Sequence, residues 1–168
     1  SYLDPFLVCM SLPRRGLQRV FFVGYSEYFD GMVGRFLARL FRNIPIDANR
    51  NLQRAVQAAA EGLRRGMVLV IFPEGGRSLD GSVMEFRRGA AILARNLDVP
   101  ITPVGIWGAH QVWPREGRIR RHPLVLSYGP TLSPGGSPSE EALLGELREE
   151  VIRLVDESSR AHDEASLN

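Results

Sequence analysis

The chain has 168 residues and is 44% hydrophobic, which suits one ordinary domain with a single sizeable core. Its 21 basic residues are all arginine and are offset by 19 acidic residues. The resulting net charge of only +2 gives no indication of a nucleic-acid partner. The one cysteine, Cys9, excludes an intrachain disulfide and, with three scattered histidines, predicts no zinc site.

The first part of the chain predicts two helices and a strand. Asp4 and Pro5 begin a short helix over residues 4–12, with Asp4 at the cap and Pro5 in the first turn. Residues 19–25 are β-branched and aromatic and indicate a strand. Residues 30–43 place apolar and arginine side chains on two faces of a helix, which suits docking on a membrane or packing on the core equally well.

The rest of the chain alternates between strand and helix patterns. Strands are predicted at 44–46, 67–73, 99–108 and 123–129, and helices at 49–66, 89–97 and, as a closing element, 139–160. This alternation predicts an α/β fold, a single three-layer domain over residues 1–168 with a mixed, largely parallel central sheet flanked by helices. No apolar run reaches the roughly 18 to 20 residues of a membrane-spanning helix.

The segment FPEGGRS (72–78) holds the strongest candidates for chemistry. It follows a buried strand, at the end where open α/β sheets place their ligands. Gly75 and Gly76 let the backbone approach a ligand, Arg77 offers a planar fork for a phosphate, and Glu74 is suited to bind a hydroxyl or orient Arg77. A tight turn with a surface ion pair is an alternative interpretation of the same residues.

Four segments together resemble the glycerolipid acyltransferases, the family of 1-acylglycerol-3-phosphate acyltransferase. FPEGGRS resembles the family's FPEGTRS block, while VPITPV (99–104) and IPID (44–47) resemble two others. SYLDPF resembles the tail of the first block, NHxSxxD, and aligns Asp4 with the family's aspartate. The aligned histidine is then expected as the second residue before Ser1. The resemblance extends to about residue 130 and implies a glycerol-3-phosphate acyltransferase-like fold.

The resemblance implies a membrane-associated O-acyltransferase of phospholipid biosynthesis. The histidine would be the general base, and Asp4 would orient its imidazole. An acyl thioester of coenzyme A or acyl carrier protein would be the co-substrate, with no other cofactor, and a lysophospholipid would be the acceptor. The expected location is the cytoplasmic face of a membrane. Without the histidine, the 168 residues alone are expected to fold but to transfer little acyl group.

Three departures from the family pattern leave the acceptor's identity open. Gly76 replaces the usual threonine or serine, Arg50 follows Asp47 by three residues instead of directly, and VGYSEYF (23–29) has no lysine. The VGYSEYF and IPID pair is similar to acyltransferase domains fused to acyl-CoA or acyl-ACP synthetases, whose acceptor can be 2-acylglycerophosphoethanolamine. By resemblance, the acceptor or its phosphate is assigned to Glu74, Gly75, Gly76, Arg77, Ser78 and Arg50, and the acyl side to Pro103.

Two other functions are alternatives to acyl transfer. A non-catalytic lipid-binding module would keep the fold and the arginine-lined site without the base. A nucleotide site is disfavoured because neither GxxxxGK[ST] nor GxGxxG occurs. His110 and His122 have no carboxylate at a fixed spacing and are interpreted as ordinary surface histidines. Trp107 is expected in the core and Trp113 in a more open position.

Overall fold

The computed structural model describes four stretches of the chain, residues 3–25, 43–46, 52–114 and 117–166. Most of the helix predicted over 30–43 lies outside the described residues, and so do Asp47 and Arg50. Within the described part, no helix is both long and apolar enough to cross a membrane.

A parallel three-stranded sheet forms from the first three predicted strands. They are β1 (Val20–Tyr25), β2 (Asn43–Ile46) and β3 (Val68–Ile71), in the order β2-β1-β3. Strand β1 is central and pairs in parallel with both neighbours. The predicted positions of these strands are confirmed to within a few residues.

Helices cover both faces of this sheet because β1 is apolar on both sides. Phe21 and Val23 pack with Ala59, Ala60 and Leu93 of helices α3 (Leu52–Arg64) and α4 (Gly89–Leu97). Val20 and Phe22 point the other way, as alternate residues of a strand must, and contact Cys9 and Leu12. Cys9 belongs to helix α1 (Asp4–Ser11), and Leu12 follows it directly. The helix–sheet–helix layering of the predicted fold is therefore confirmed.

The first helix differs from the prediction in its cap. Leu3 occupies the cap position without a side-chain hydrogen bond, and Asp4 is the first helical residue. The assignment of Asp4 as the cap was therefore wrong, although Pro5 does lie in the first turn, where a missing N–H costs little. A further short helix, α2 (Arg14–Leu17), was not predicted.

The last two strands pair with each other in a separate sheet. Strands β4 (Val104–Trp107) and β5 (Val125–Tyr128) are antiparallel, and an isolated bridge joins Ile101 to Leu132. Strand β4 is shorter than the predicted 99–108, since Pro100 and Pro103 have no N–H to donate to a neighbouring strand. Trp107 is buried, as expected.

Helical elements complete this part of the chain. They are the short helix α5 (Ala109–Val112), a 3₁₀ turn (Pro134–Gly136) and the closing helix α6 (Glu140–Ser166). The closing helix is longer than the predicted 139–160. Its buried leucines face two partners, because Leu143 contacts Ala91 and Ala94 of α4 while Leu154 lies against β4. Helix α6 thus joins the antiparallel pair to the layer that covers the parallel sheet.

The contact between α6 and β4 depends on a residue without a side chain. A Cβ added at Gly105 would lie 2.6 Å from Leu154 Cβ and 3.2 Å from the backbone nitrogen of Val155. The first distance is shorter than real Cβ contacts, and the second is tighter than most and involves backbone, which cannot rotate away. Glycine is therefore required at position 105.

We expect Gly105→Ala to destabilise the protein by about 1–3 kcal/mol, because the added methyl group overpacks a closed contact. Urea denaturation followed by circular dichroism would measure the change. Gly145→Ala is the matched control, since a Cβ there meets nothing within 4 Å and alanine favours the helix by about 0.5–1 kcal/mol. Equal effects of the two substitutions would contradict this account of the α6–β4 contact.

Candidate active site

The loop after β3 is held against the N-terminal end of α4. Phe72 stacks on Phe22 with ring centroids 6.5 Å apart, which anchors the start of the loop on β1. The N–H of Gly75 donates to Phe72 O at 3.1 Å, and the N–H of Arg87 donates to Pro73 O at 2.8 Å. The loop therefore turns sharply at Glu74 and Gly75 and is pinned at both ends.

Gly75 has the backbone and the space that only glycine permits. Its φ is +64°, in the left-handed region, and a Cβ there would lie 2.5 Å from Arg87 Nε. The Arg87 side chain therefore lies directly over the loop. Arg87 was absent from the predicted site, although the sequence FRRGAA placed it close to this loop and next to a helix start.

Three predicted site residues come together at this loop. Burial raises the pKa of the Asp4 carboxyl above its ordinary value, and the nearby charge of Arg77 opposes that rise. Burial also raises the pKa of Glu74, and the charge of Asp4 adds to the increase. A charge acts on the pKa of a carboxyl only from nearby, so the start of α1 and the loop after β3 share one partly buried, charged site.

Arg77 is held by a neighbour on the other side of the site. Its Nη2 donates to the carbonyl oxygen of Trp113 at 3.0 Å, just beyond α5. Trp113 is half-buried, in agreement with the more open position expected for it. A phosphate that bound here would share Arg77 with Trp113 and Asp4.

Ser78 has a structural part in the loop. Its hydroxyl donates to Asp80 Oδ1 at 2.9 Å and accepts from the N–H of Gly81 at 2.9 Å. Ser82 donates to the same carboxylate through its N–H and hydroxyl, and these hydrogen bonds lower the pKa of Asp80 to about 2. Ser78 thus fixes a tight turn directly after Arg77, whatever contact it makes with an acceptor.

A series of hydrogen bonds connects Glu74 to the closing helix. Its Oε2 accepts from the N–H of Met84 at 2.9 Å. Arg148 of α6 donates to the carbonyl oxygens of Met84 at 3.0 Å and Val83 at 3.2 Å, and its charge lowers the pKa of Glu74. No sequence pattern indicates Arg148, because it lies far along the chain among the charges of a helix.

The remaining residues singled out from the sequence make contacts of their own or none that defines a role. Pro103 is fully buried at the start of β4, where its carbonyl oxygen accepts from Gly129 at 2.9 Å. His122 packs on Trp107 with centroids 5.0 Å apart, whereas His110 lies against Gly81 of the Ser78 turn. Gly76 is half-buried between Gly75 and Arg77. The roles predicted for Pro103 and Gly76 stay predictions.

Comparison with known proteins agrees with this architecture. A model of the Acyltransferase family matches residues 1–107. The solved structure of the 1-acyl-sn-glycerophosphate (LPA) acyltransferase PlsC from Thermotoga maritima superposes with a TM-score of 0.71 at 29% identity, over 84% of this chain and 57% of that one. The chain belongs to the acyltransferase family.

Its relatives within the family are named for the same activity. The 1-acyl-sn-glycerol-3-phosphate acyltransferase of Limnanthes douglasii is 34% identical over 97 residues, which are 56% of this chain and 33% of that protein. The enzyme of the same name from Cocos nucifera is 30% identical over 131 residues, 76% of this chain and 42% of that protein. The chain thus spans less than half the length of these relatives.

The buried carboxylate of Asp4 should reduce stability near neutral pH. Because its pKa is raised in the folded state, its ionised form is penalised by folding, so this cost is absent well below the ordinary value of 3.8 and fully present above the raised value. Asp4→Asn should therefore raise the melting temperature at neutral pH, and the gain should shrink toward pH 3.8. A loss that shrinks toward acid would mean that pairing with Arg77 outweighs burial.

Proposed function

We propose that the protein is an O-acyltransferase that moves a fatty acyl group from an acyl thioester to the free hydroxyl of a lysophospholipid. The observation that carries the proposal is the charged site formed by Asp4, Glu74 and Arg77. These residues come from two family blocks that are far apart in the chain, and folding places them within electrostatic reach of each other. The activity for which the relatives are named supports the same reaction.

Asp4 would act on the acceptor through a histidine. A lipid hydroxyl is a poor nucleophile at neutral pH, and imidazole is suited to remove its proton because its pKa lies near 7. The family resemblance assigns this base to the second residue before Ser1. Asp4 would fix the ring orientation and stabilise the imidazolium that forms, while Arg77 favours the ionised state of Asp4.

The transfer itself needs no covalent enzyme intermediate. As the hydroxyl loses its proton to the imidazole, its oxygen attacks the thioester carbonyl, and the carbon–sulfur bond then breaks. The thiol leaves with a proton returned by the imidazolium. Acyl-CoA or acyl-ACP is the co-substrate on this proposal, and the chemistry calls for no further cofactor.

The acceptor side of the site is cationic in a way that suits a phosphate. The charge of Arg77 acts on Asp4, and Arg87 lies over Gly75, where the absence of a Cβ leaves room for the guanidinium. Glu74, held by Met84 N–H, is placed to accept a hydrogen bond from an acceptor hydroxyl. A phosphorylated glycerol backbone, such as that of 1-acylglycerol-3-phosphate, matches this combination.

The proposal places the enzyme at a membrane. A lysophospholipid carries an acyl chain that keeps it in the bilayer, so the reacting hydroxyl must be reached at the lipid surface. Acyl-CoA and acyl-ACP are supplied from the cytoplasm. We therefore assign the protein to the cytoplasmic face of the membrane.

The first test is acyl transfer by the protein expressed from the start of its reading frame, with labelled acyl-CoA or acyl-ACP and a series of lysophospholipids. Asp4→Asn should lower kcat by about 100-fold or more, because the base loses its orienting carboxylate. Asp156→Asn, an exposed carboxylate of α6, is the control and should leave kcat unchanged. Lysophospholipid binding with no transfer by the wild type would instead identify a lipid-binding module.

The second test assigns Arg77 to the acceptor's phosphate. Arg77→Ala should raise KM for the lysophospholipid about 10- to 100-fold, because a charge-assisted hydrogen bond is lost, and should change kcat much less. Turnover of a monoacylglycerol, which lacks the phosphate, should hardly change. Arg64→Ala, an exposed arginine of α3, serves as the control. An increase in KM for the acyl thioester alone would place Arg77 on the donor side.

A further inference from the structure

Helices α1 and α2 present an apolar and cationic surface beside the site. Met10 is 84% exposed, Leu17 is 40% exposed and Phe6 is 37% exposed. The α1–α2 surface, as we call it, consists of these side chains and three exposed arginines, namely Phe6, Met10, Leu17, Arg14, Arg15 and Arg19. It belongs neither to the catalytic site nor to the segment over 30–43, whose sequence suits membrane contact and core packing equally well.

Other residues of this segment make the contacts with the core. Helix α1 already buries Val8 and packs Cys9 on β1, and Leu12 just after it does the same. Phe6 and Met10 are four residues apart, so they lie on one side of the helix, where Met10 faces solvent and Phe6 is exposed at its edge, at 37%. A single exposed apolar residue is ordinary, but Met10 is accompanied by the partly exposed Phe6 and Leu17 on two consecutive helices, and such groups mark interaction surfaces.

The charges around these residues all have one sign. Between Pro5 and Tyr25 the chain has no aspartate or glutamate, while Arg14, Arg15 and Arg19 are exposed. Elsewhere in the described part, Arg65, Arg88 and Arg153 pair with glutamates. Arg14, Arg15 and Arg19 make no such pair among the described residues. Within that part of the chain, no ion pair neutralises their charge, as contact with an anionic partner requires.

We propose that the α1–α2 surface docks on an anionic lipid bilayer. The arginines would contact headgroup phosphates, and Met10, Phe6 and Leu17 would enter the boundary between headgroups and acyl chains. Lipid is favoured over an acidic protein because exposed apolar side chains lie among the arginines, and a bilayer surface supplies both phosphate and hydrocarbon.

Docking in this way would bring the site to its acceptor. Asp4 is the first residue of α1, so the helix that contacts the bilayer also carries the proposed orienting carboxylate. A lysophospholipid could then reach Asp4 and Arg77 without leaving the membrane. This inference rests on the proposed function for its purpose, but the binding itself can be measured separately.

Vesicle flotation tests the surface directly. The protein should bind vesicles that contain phosphatidylglycerol more tightly than pure phosphatidylcholine vesicles, and added salt should weaken binding. Neutralising two arginines in Arg14→Gln/Arg15→Gln should weaken binding about thirtyfold. Met10→Gln should weaken it about tenfold.

Matched controls come from other exposed positions. Arg54→Gln/Arg64→Gln removes the same charge from α3, and Ile119→Gln removes an apolar side chain that is 63% exposed in another arginine-rich segment. Both should bind like the wild type. Equal losses in the controls and the α1–α2 variants, or binding of acidic acyl carrier protein in place of vesicles, would overturn the proposal.

Transfer assays separate this inference from the proposed function. With the acceptor in detergent micelles, Arg14→Gln/Arg15→Gln should turn over like the wild type, and with anionic vesicles its rate should fall in proportion to binding. Absence of transfer in micelles by the wild type would contradict the proposed function and leave the binding result intact. Unchanged vesicle binding in that variant would contradict docking while transfer stands.

Discussion

Burial of β1 on both faces is the constraint on which the rest of the described structure depends. Phe21 and Val23 are covered by α3 and α4, and Val20 and Phe22 by α1 and the residue after it. Because each helix must cover its own face of the sheet, packing on β1 constrains the positions of α1 and of the loop after β3. The carboxylate at the start of α1 is thereby brought to the loop that carries Glu74 and Arg77. Packing of an apolar strand thus determines where the charged residues meet.

The candidate site holds two carboxylates at a cost in stability. Asp4 and Glu74 are both partly buried carboxylates whose pKa values are raised by that burial, and each is close enough to affect the site's charge balance. Arg77 and Arg148 offset part of the cost with positive charge. Burial of these carboxylates lowers stability, since in solvent the same groups would carry no desolvation penalty. The arrangement is a reasonable one for orienting an imidazole and binding a hydroxyl.

Sequence patterns predicted the regular elements well and the connections less well. Strands β1 to β3 and helices α3 and α4 have strong periodicity or apolar runs, and all were found near the predicted bounds. The short helices α2 and α5 were missed because four residues are too few for a periodic pattern. The cap was misplaced by one residue, since Leu3 and not Asp4 precedes the first helical turn. The extent of the single domain over all 168 residues stays a prediction.

The sequence by itself determined the family and the candidate chemistry, because Asp4, Glu74, Gly75 and Arg77 stand in segments whose letters and order are specific. Only the tertiary structure decided which other residues share the site. Arg87 lies over Gly75 because a left-handed glycine leaves room for it, and Arg148 reaches Met84 because α6 packs back on α4. The exposure of Met10 likewise depends on which face of α1 meets the sheet. Such contacts join residues remote in the chain, and local pattern carries no information about them.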